Sequence, residues 1–185
     1  KELLNVDTTD IIEFLKSFKN ARTLNRKLSS INSFYSFCKE FDFSDFEVNI
    51  PSSKIQNSLP YFLEHETIID AVNNIKPSSW LNLRDRALIL FLYATGVRVS
   101  EAINTDVNDI EGSWLRVRFA KNQKERVVPI AKIALDEIKN YLKNRPKNCS
   151  ELFVNYKFNR ISRISVFKIT KKYLNVSPHI LRHSY

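Results

Sequence analysis

Trp114-Leu115-Arg116-Val117-Arg118-Phe119, followed after a polar interval by Val127-Val128-Pro129-Ile130, decides the fold class. Leu115, Val117 and Phe119 alternate with Arg116 and Arg118, a hydrophobic period of two that predicts a strand. The second apolar run predicts its antiparallel partner, with Lys121-Asn122-Gln123-Lys124 at the hairpin tip. Around this hairpin the period is helical almost everywhere. The fold class is therefore mostly α with a small antiparallel β-sheet.

Upstream, Leu83 to Tyr93 reads as a strongly buried helix ending at Thr95-Gly96, where glycine supplies the left-handed cap. Ser100 is placed to cap a new helix, and Glu64 to Asn74 reads as another. Downstream, helices are expected over Ile133 to Leu142 and, with a basic face, over Ser162 to Tyr173. A short strand is expected at Leu152 to Val154. Ser177-Pro178 places a capping residue before a proline at the first helical position, a strong start signal. At the front, Asp7 or Thr8 caps a helix to about Phe18, with Ile11, Ile12, Phe14, Leu15 and Phe18 as a broad apolar face. A longer helix, about Ala21 to Phe41, carries Leu24, Leu28, Ile31, Phe34, Tyr35 and Cys38 at helical spacing, and Arg22, Arg26 and Lys27 cluster near its start. From Asp42 to Pro60 the pattern dissolves into Ser, Asn, Asp and two prolines. The expected organisation is a helical domain over 1–50, a linker over 51–60 and a second domain over 61–185.

Composition limits what such a chain does. With 185 residues, 43% hydrophobic and 26% charged, it has enough apolar material to close a core and is not disordered. No apolar run approaches the roughly 20 residues of a membrane span, and the N-terminus lacks a secretory layout, so an intracellular protein is expected. Gly96 and Gly112 are the only glycines, which excludes a dinucleotide-binding fingerprint and a Walker loop. Cys38 and Cys149 stand alone, without CxxC partners, so neither a zinc cluster nor a disulfide framework is indicated. The formal charge is +9, and it is unevenly spread. Residues 1–58 are neutral, whereas residues 113–185 hold 17 basic and 4 acidic side chains, a net of +13. That field suits a polyanion, with nucleic acid the leading partner and a solvated basic surface the alternative.

Three stretches carry residues that could do chemistry: Tyr93-Ala94-Thr95-Gly96-Val97-Arg98-Val99-Ser100-Glu101, Lys121-Asn122-Gln123-Lys124-Glu125-Arg126-Val127-Val128-Pro129-Ile130, and Ser177-Pro178-His179-Ile180-Leu181-Arg182-His183-Ser184. Each alone has an ordinary reading. Arg98 is a natural partner for Glu101, and Lys121 a solvated hairpin lysine. His179 and His183, spaced i and i+4, suggest a metal, but Ile180 replaces the Glu of HExxH and no third ligand stands out. Together, and in this order, the three resemble the boxes of the tyrosine recombinase (lambda-type integrase) family, particularly its Xer branch, and Leu59-Pro60 resembles the lead into its catalytic domain. The resemblance covers nearly the whole chain.

The resemblance implies a helical, SAM-like core-binding domain followed by a catalytic domain, which together clamp a duplex. It implies that Arg98 and Arg182 stabilise the charge developing on the phosphate, that Lys121 protonates the leaving 5′-oxygen and that His179 assists proton transfer. A tyrosine would form a 3′-phosphotyrosyl intermediate, without metal, ATP or other cofactor. Arg22, Arg26, Lys27, Lys124, Arg126, Arg163 and Lys168 are the expected DNA contacts. The family's later His or Trp and its nucleophilic tyrosine lie well beyond the HxxR box, and no counterpart is present here. Tyr185, three residues past Arg182, reads as core. The chain starts at Lys1 and contains no Met, so a fragment is expected, binding DNA without cleaving it while the full-length protein recombines. By resemblance, four protomers would assemble on two sites, resolving chromosome dimers at a dif-like sequence in the bacterial nucleoid, with any activating protein unidentified. The wealth of Asn, Lys, Ile and Phe points to an AT-rich genome and a XerH-like branch. A mobile-element integrase and a non-catalytic architectural DNA binder remain alternatives. An RNA-binding domain is disfavoured, because the strand aromatics read as core.

Overall fold

The computed structural model describes residues 6–55, 61–118 and 125–184. The chain divides into two compact units, Lys1–Leu59 and Pro60–Tyr185.

In the first unit, α1 (Thr8–Lys16) begins at a capping box. Asp7 Oδ1 accepts from the Asp10 N–H at 2.9 Å, and Asp10 Oδ2 accepts from the Asp7 N–H at 3.1 Å. Two backbone donors that a helix start leaves without partners are thereby satisfied. Replacing Asp7 with Ala is expected to cost about 1 kcal/mol, read by far-UV circular dichroism as a lower denaturation midpoint. The longer α2 (Ala21–Glu40) starts at Asn20, whose Oδ1 accepts from the N–H groups of Arg22 and Thr23. Ile11, Leu15, Leu28 and Tyr35 form the core between the helices. The extended segment after α2 packs back on it. Phe46 meets Tyr35 edge-on at 4.8 Å, and the Asn25 amide bonds the Ser53 backbone N–H and C=O, each at 2.9 Å. The expected apolar face of α1 is only half used, since Ile12 and Phe14 stay exposed, as does Phe34 of α2.

The second unit is built around α4 (Trp80–Thr95). Its residues Ala87 to Leu92 are buried without interruption, and it packs against α3 (His65–Asn73), α6 (Lys132–Asn144) and α8 (Pro178–His183). It starts a turn before Leu83, because Ser79 Oγ accepts from the Asn82 N–H at 3.2 Å. It stops where Gly96 adopts φ 57°, a left-handed conformation that glycine reaches without the cost a Cβ imposes. Arg86 locks the layers by holding the Glu137 carboxylate of α6 and the carbonyls of Val72 and Ile75.

The sheet is antiparallel, of order β1 (Ile110–Glu111), β2 (Trp114–Val117) and β3 (Arg126–Pro129), with Ile110 opposite Leu115 and Leu115 opposite Val128. The expected hairpin thus gains a first strand too short to show a period. The strand expected at Leu152–Val154 is not formed. These residues are buried, but of them only Val154 makes a bridge, an isolated one with Arg160, and Glu151 just before them makes another with Asp106. The expectation that strand aromatics are core is also corrected. Trp114 is exposed, since the period of two that buries Leu115 and Val117 turns Trp114 and Arg116 outward. Phe119 lies outside the described residues.

Candidate active site

The site grows from the end of α4. After Gly96 the chain enters the short α5 (Val99–Ile103). Its cap is Arg98, two residues before the expected Ser100, because the Glu101 carboxylate reaches back to accept the Arg98 backbone N–H at 2.7 Å. Glu101 also accepts from Arg98 Nη1 at 3.1 Å and takes both terminal nitrogens of Arg126, Nη1 at 2.9 Å and Nη2 at 2.8 Å. Its side chain is 2% exposed, against 47% for Arg98. One buried carboxylate therefore fixes an exposed guanidinium from below and ties α5 to β3. Burial pushes the Glu101 carboxyl up, but the Arg126 pair and then the Arg98 bonds outweigh it and hold the group at about 2.

The third box reaches the same place through the fold. Following α7 (Arg163–Leu174), Asn175 takes φ 57° and the chain turns into α8, with Pro178 at its first helical position. Arg182, half-buried on α8, donates from Nη1 to the Gly96 carbonyl at 2.6 Å, across 86 residues of sequence. The end of α8 is anchored in turn by Ser184 Oγ, which accepts from the Leu63 N–H at 2.8 Å. His179 and Arg163 line a shallow open depression together with Val99, the neighbour of Arg98, and with Ile164 and Phe167. Arg182 thus meets the turn that leads into Arg98, and His179 borders the same depression as Val99. Guanidiniums and an imidazole are the side-chain types suited to binding an anion and moving a proton.

The other candidates fall into groups. Lys121 and Lys124 lie outside the described residues, as does Tyr185. Lys168 is exposed on α7 and does not line the depression. Arg126, expected to contact DNA, has both terminal nitrogens on the Glu101 carboxylate. The formal +13 of the C-terminal stretch is partly internal, since Arg116 pairs with Glu111, Arg118 with Asp109 and Arg160 with Asp106. In the first unit, Arg22 and Arg26 are exposed one helical turn apart, whereas Lys27 is half-buried with its ammonium 5.8 Å from the Phe18 ring centre. Lys19 and Lys54, which no motif marked, join Arg22 around one open depression. Among the described residues no three His, Cys, Asp or Glu gather in a metal-binding group, and no helix is long and apolar enough to cross a membrane.

Comparison with known proteins agrees with this architecture. The sequence profile described as "Phage integrase family" matches residues 61–185. Tyrosine recombinase XerA of Pyrococcus horikoshii is 38% identical over 191 residues, covering 95% of this chain and 64% of that protein. Tyrosine recombinase XerD of Oceanobacillus iheyensis is 33% identical over 201 residues, covering 97% of this chain and 67% of that one. The chain thus spans about two thirds of the length of these relatives. Among solved structures, XerH site-specific recombinase bound to palindromic difH substrate in a post-cleavage complex superimposes with a TM-score of 0.77 at 23% identity, over 98% of this chain and 61% of that one. The Tn1549 transposon integrase in complex with circular intermediate DNA gives 0.74 at 16%, over 97% and 71%. At these identities the structural likeness establishes the fold.

Proposed function

The chain belongs to the phage integrase family, on its Xer tyrosine recombinase branch, and from that premise we propose that it is the DNA-gripping part of a site-specific DNA recombinase that cleaves and rejoins strands through a 3′-phosphotyrosyl link. The observation that carries this reading is the bond from Arg182 to the Gly96 carbonyl, which brings the HxxR box to the α4–α5 turn two residues from Arg98. Arg98 and Arg182 grip the nonbridging oxygens of the phosphodiester, a task that charge-assisted bonds from guanidinium forks perform without a metal. Lys121 protonates the departing 5′-oxygen, and His179 handles the proton near the attacking group. The nucleophilic tyrosine lies beyond Arg182 in the longer protein, and its phosphotyrosyl bond conserves the energy of the broken linkage for rejoining. Glu101 and Arg126 are positioning residues for Arg98.

Duplex DNA is the partner in this reading. Arg22 and Arg26 contact the backbone from the first unit together with Lys19, Lys27 and Lys54. Arg163, Lys168 and Lys124 do so from the second. Four copies assemble on two sites, and the cellular task is resolution of chromosome dimers at a dif-like sequence in the nucleoid. The Xer relatives favour this task over integration of a mobile element.

The 185-residue protein should bind duplex DNA with strong salt dependence. For six to ten phosphate contacts, affinity should fall about 10³- to 10⁵-fold between roughly 50 and 200 mM salt, and Arg22→Ala should reduce the logarithmic slope by about one. Fluorescence anisotropy with a labelled duplex reads both. Affinity indifferent to salt would remove the DNA-clamp reading.

A further inference from the structure

We propose that His179 and His183 form a two-ligand site for a late first-row divalent metal ion such as Cu²⁺ or Ni²⁺. The two side chains lie one turn apart on α8, and both are exposed. Their Nε2 atoms are 2.9 Å apart, while the ring centres are 4.2 Å apart. The rings therefore converge in a V instead of meeting head to head. Metal–imidazole bonds of about 2.0–2.1 Å put two nitrogens about 2.9 Å apart at a right-angle bite and about 3.3 Å apart at the tetrahedral angle. The observed 2.9 Å is the length of the N–H···N bond that joins the rings now, and a rise of a few tenths of an ångström reaches either bite, so intrinsic affinity, in which Cu²⁺ leads, ranks the ions.

One Nε2 carries the hydrogen that now bridges the pair. Shifting it to Nδ1 leaves both Nε2 lone pairs directed at the space between the rings, with no net proton lost. Water or a buffer molecule completes the coordination, since no group of three ligands is present among the described residues. Arg182 on the same helix and Arg163 beside His179 put positive charge near the ion and weaken it. The site is therefore exchangeable, unlike a closed structural zinc centre. If His179 moves a proton as proposed above, the bound ion takes the lone pair it uses and inhibits strand cleavage. That consequence rests on the functional reading, whereas the binding does not.

Calorimetric titration of Ni²⁺ into the 185-residue protein, in a non-chelating buffer, tests the site. One ion per chain is expected. His179→Ala and His183→Ala should each weaken binding by roughly 10²-fold, the low end of what a second contact within one molecule adds. His65→Ala and Cys149→Ser should leave it unchanged. No saturable binding by the parent, undiminished binding by His183→Ala, or loss of binding in Cys149→Ser would overturn the proposal. If Ni²⁺ binds as described and yet leaves cleavage by the longer protein untouched, the site stands and the role given to His179 falls.

Discussion

Replacing Arg182 with Ala in a protein of its relatives' length is expected to slow strand cleavage by about 10²- to 10³-fold, the usual loss when one donor to a developing oxyanion is removed. Duplex affinity should change little, because one phosphate contact among many is lost, worth about one unit of salt slope. Arg182 also holds the Gly96 carbonyl, so a structural loss has to be separated from a chemical one. Arg182→Lys separates them. Lysine keeps the charge but presents a single ammonium instead of a planar fork, and so cannot bond Gly96 and hold a phosphate oxygen in the same geometry. Both variants should bind DNA as folded proteins and cleave poorly in single-turnover assays. Cleavage that falls only in proportion to the folded fraction would reduce Arg182 to a strut.

The second large effect is on stability. Glu101→Gln keeps the shape of the side chain but removes the anion that Arg98 and Arg126 share, leaving two guanidiniums facing a neutral amide. The carboxyl drops from an ordinary value of 4.5 to about 2 in the folded protein. A group depressed in this way stabilises the fold fully above the unfolded value and loses that contribution as pH falls from about 4.5 towards 2. The difference amounts to up to about 3 kcal/mol at neutral pH. Wild type and Glu101→Gln should therefore differ by about that much in urea unfolding at pH 7, and the gap should close as the pH is lowered through that window. Both tryptophans, Trp80 and Trp114, lie in the second unit, so their fluorescence reports the unit that holds Glu101. A gap that stays constant down to pH 2 would show that the ionised carboxylate is not its source.

Much of the fold was legible in the sequence because its signals are local. The helical periods fall on α1, α2, α3, α6 and α7 within a few residues, and Gly96 ends α4 through a conformation that only its own backbone decides. The errors have physical causes of the same kind. Two-residue β1 is too short to display alternation. Leu152 to Val154 are apolar because they fill the core, and burial alone does not make a ladder. The cap of α5 lies at Arg98 and not at Ser100 because a carboxylate three residues along holds the Arg98 backbone N–H.

For the candidate site, residue types were legible and their wiring was not. Arg98 and Arg182 stood out by motif, but nothing in the sequence ties Arg182 to Gly96 or Arg126 to Glu101, since these bonds span 86 and 25 residues. Only the packing of α8 against α4, and of β3 beside α5, brings the atoms together. The spacing of Arg98 and Glu101, three residues apart at a helix start, was the one available hint, and it marked one of the two partners that Glu101 holds.

In the proposed function, Arg98 and Arg182 hold one phosphodiester for attack by a tyrosine. The direct measurement is covalent trapping on a library of nicked duplexes, using the chain carried through its own reading frame to the length of its relatives and resolved on a denaturing gel. A protein–DNA adduct that survives denaturation, joined through tyrosine to a 3′-phosphate, is expected. Arg98→Ala and Arg182→Ala should give almost no adduct, although both still bind the same duplexes. An adduct formed at undiminished yield by the double variant, or none from wild type on any duplex it binds, would contradict the proposed function.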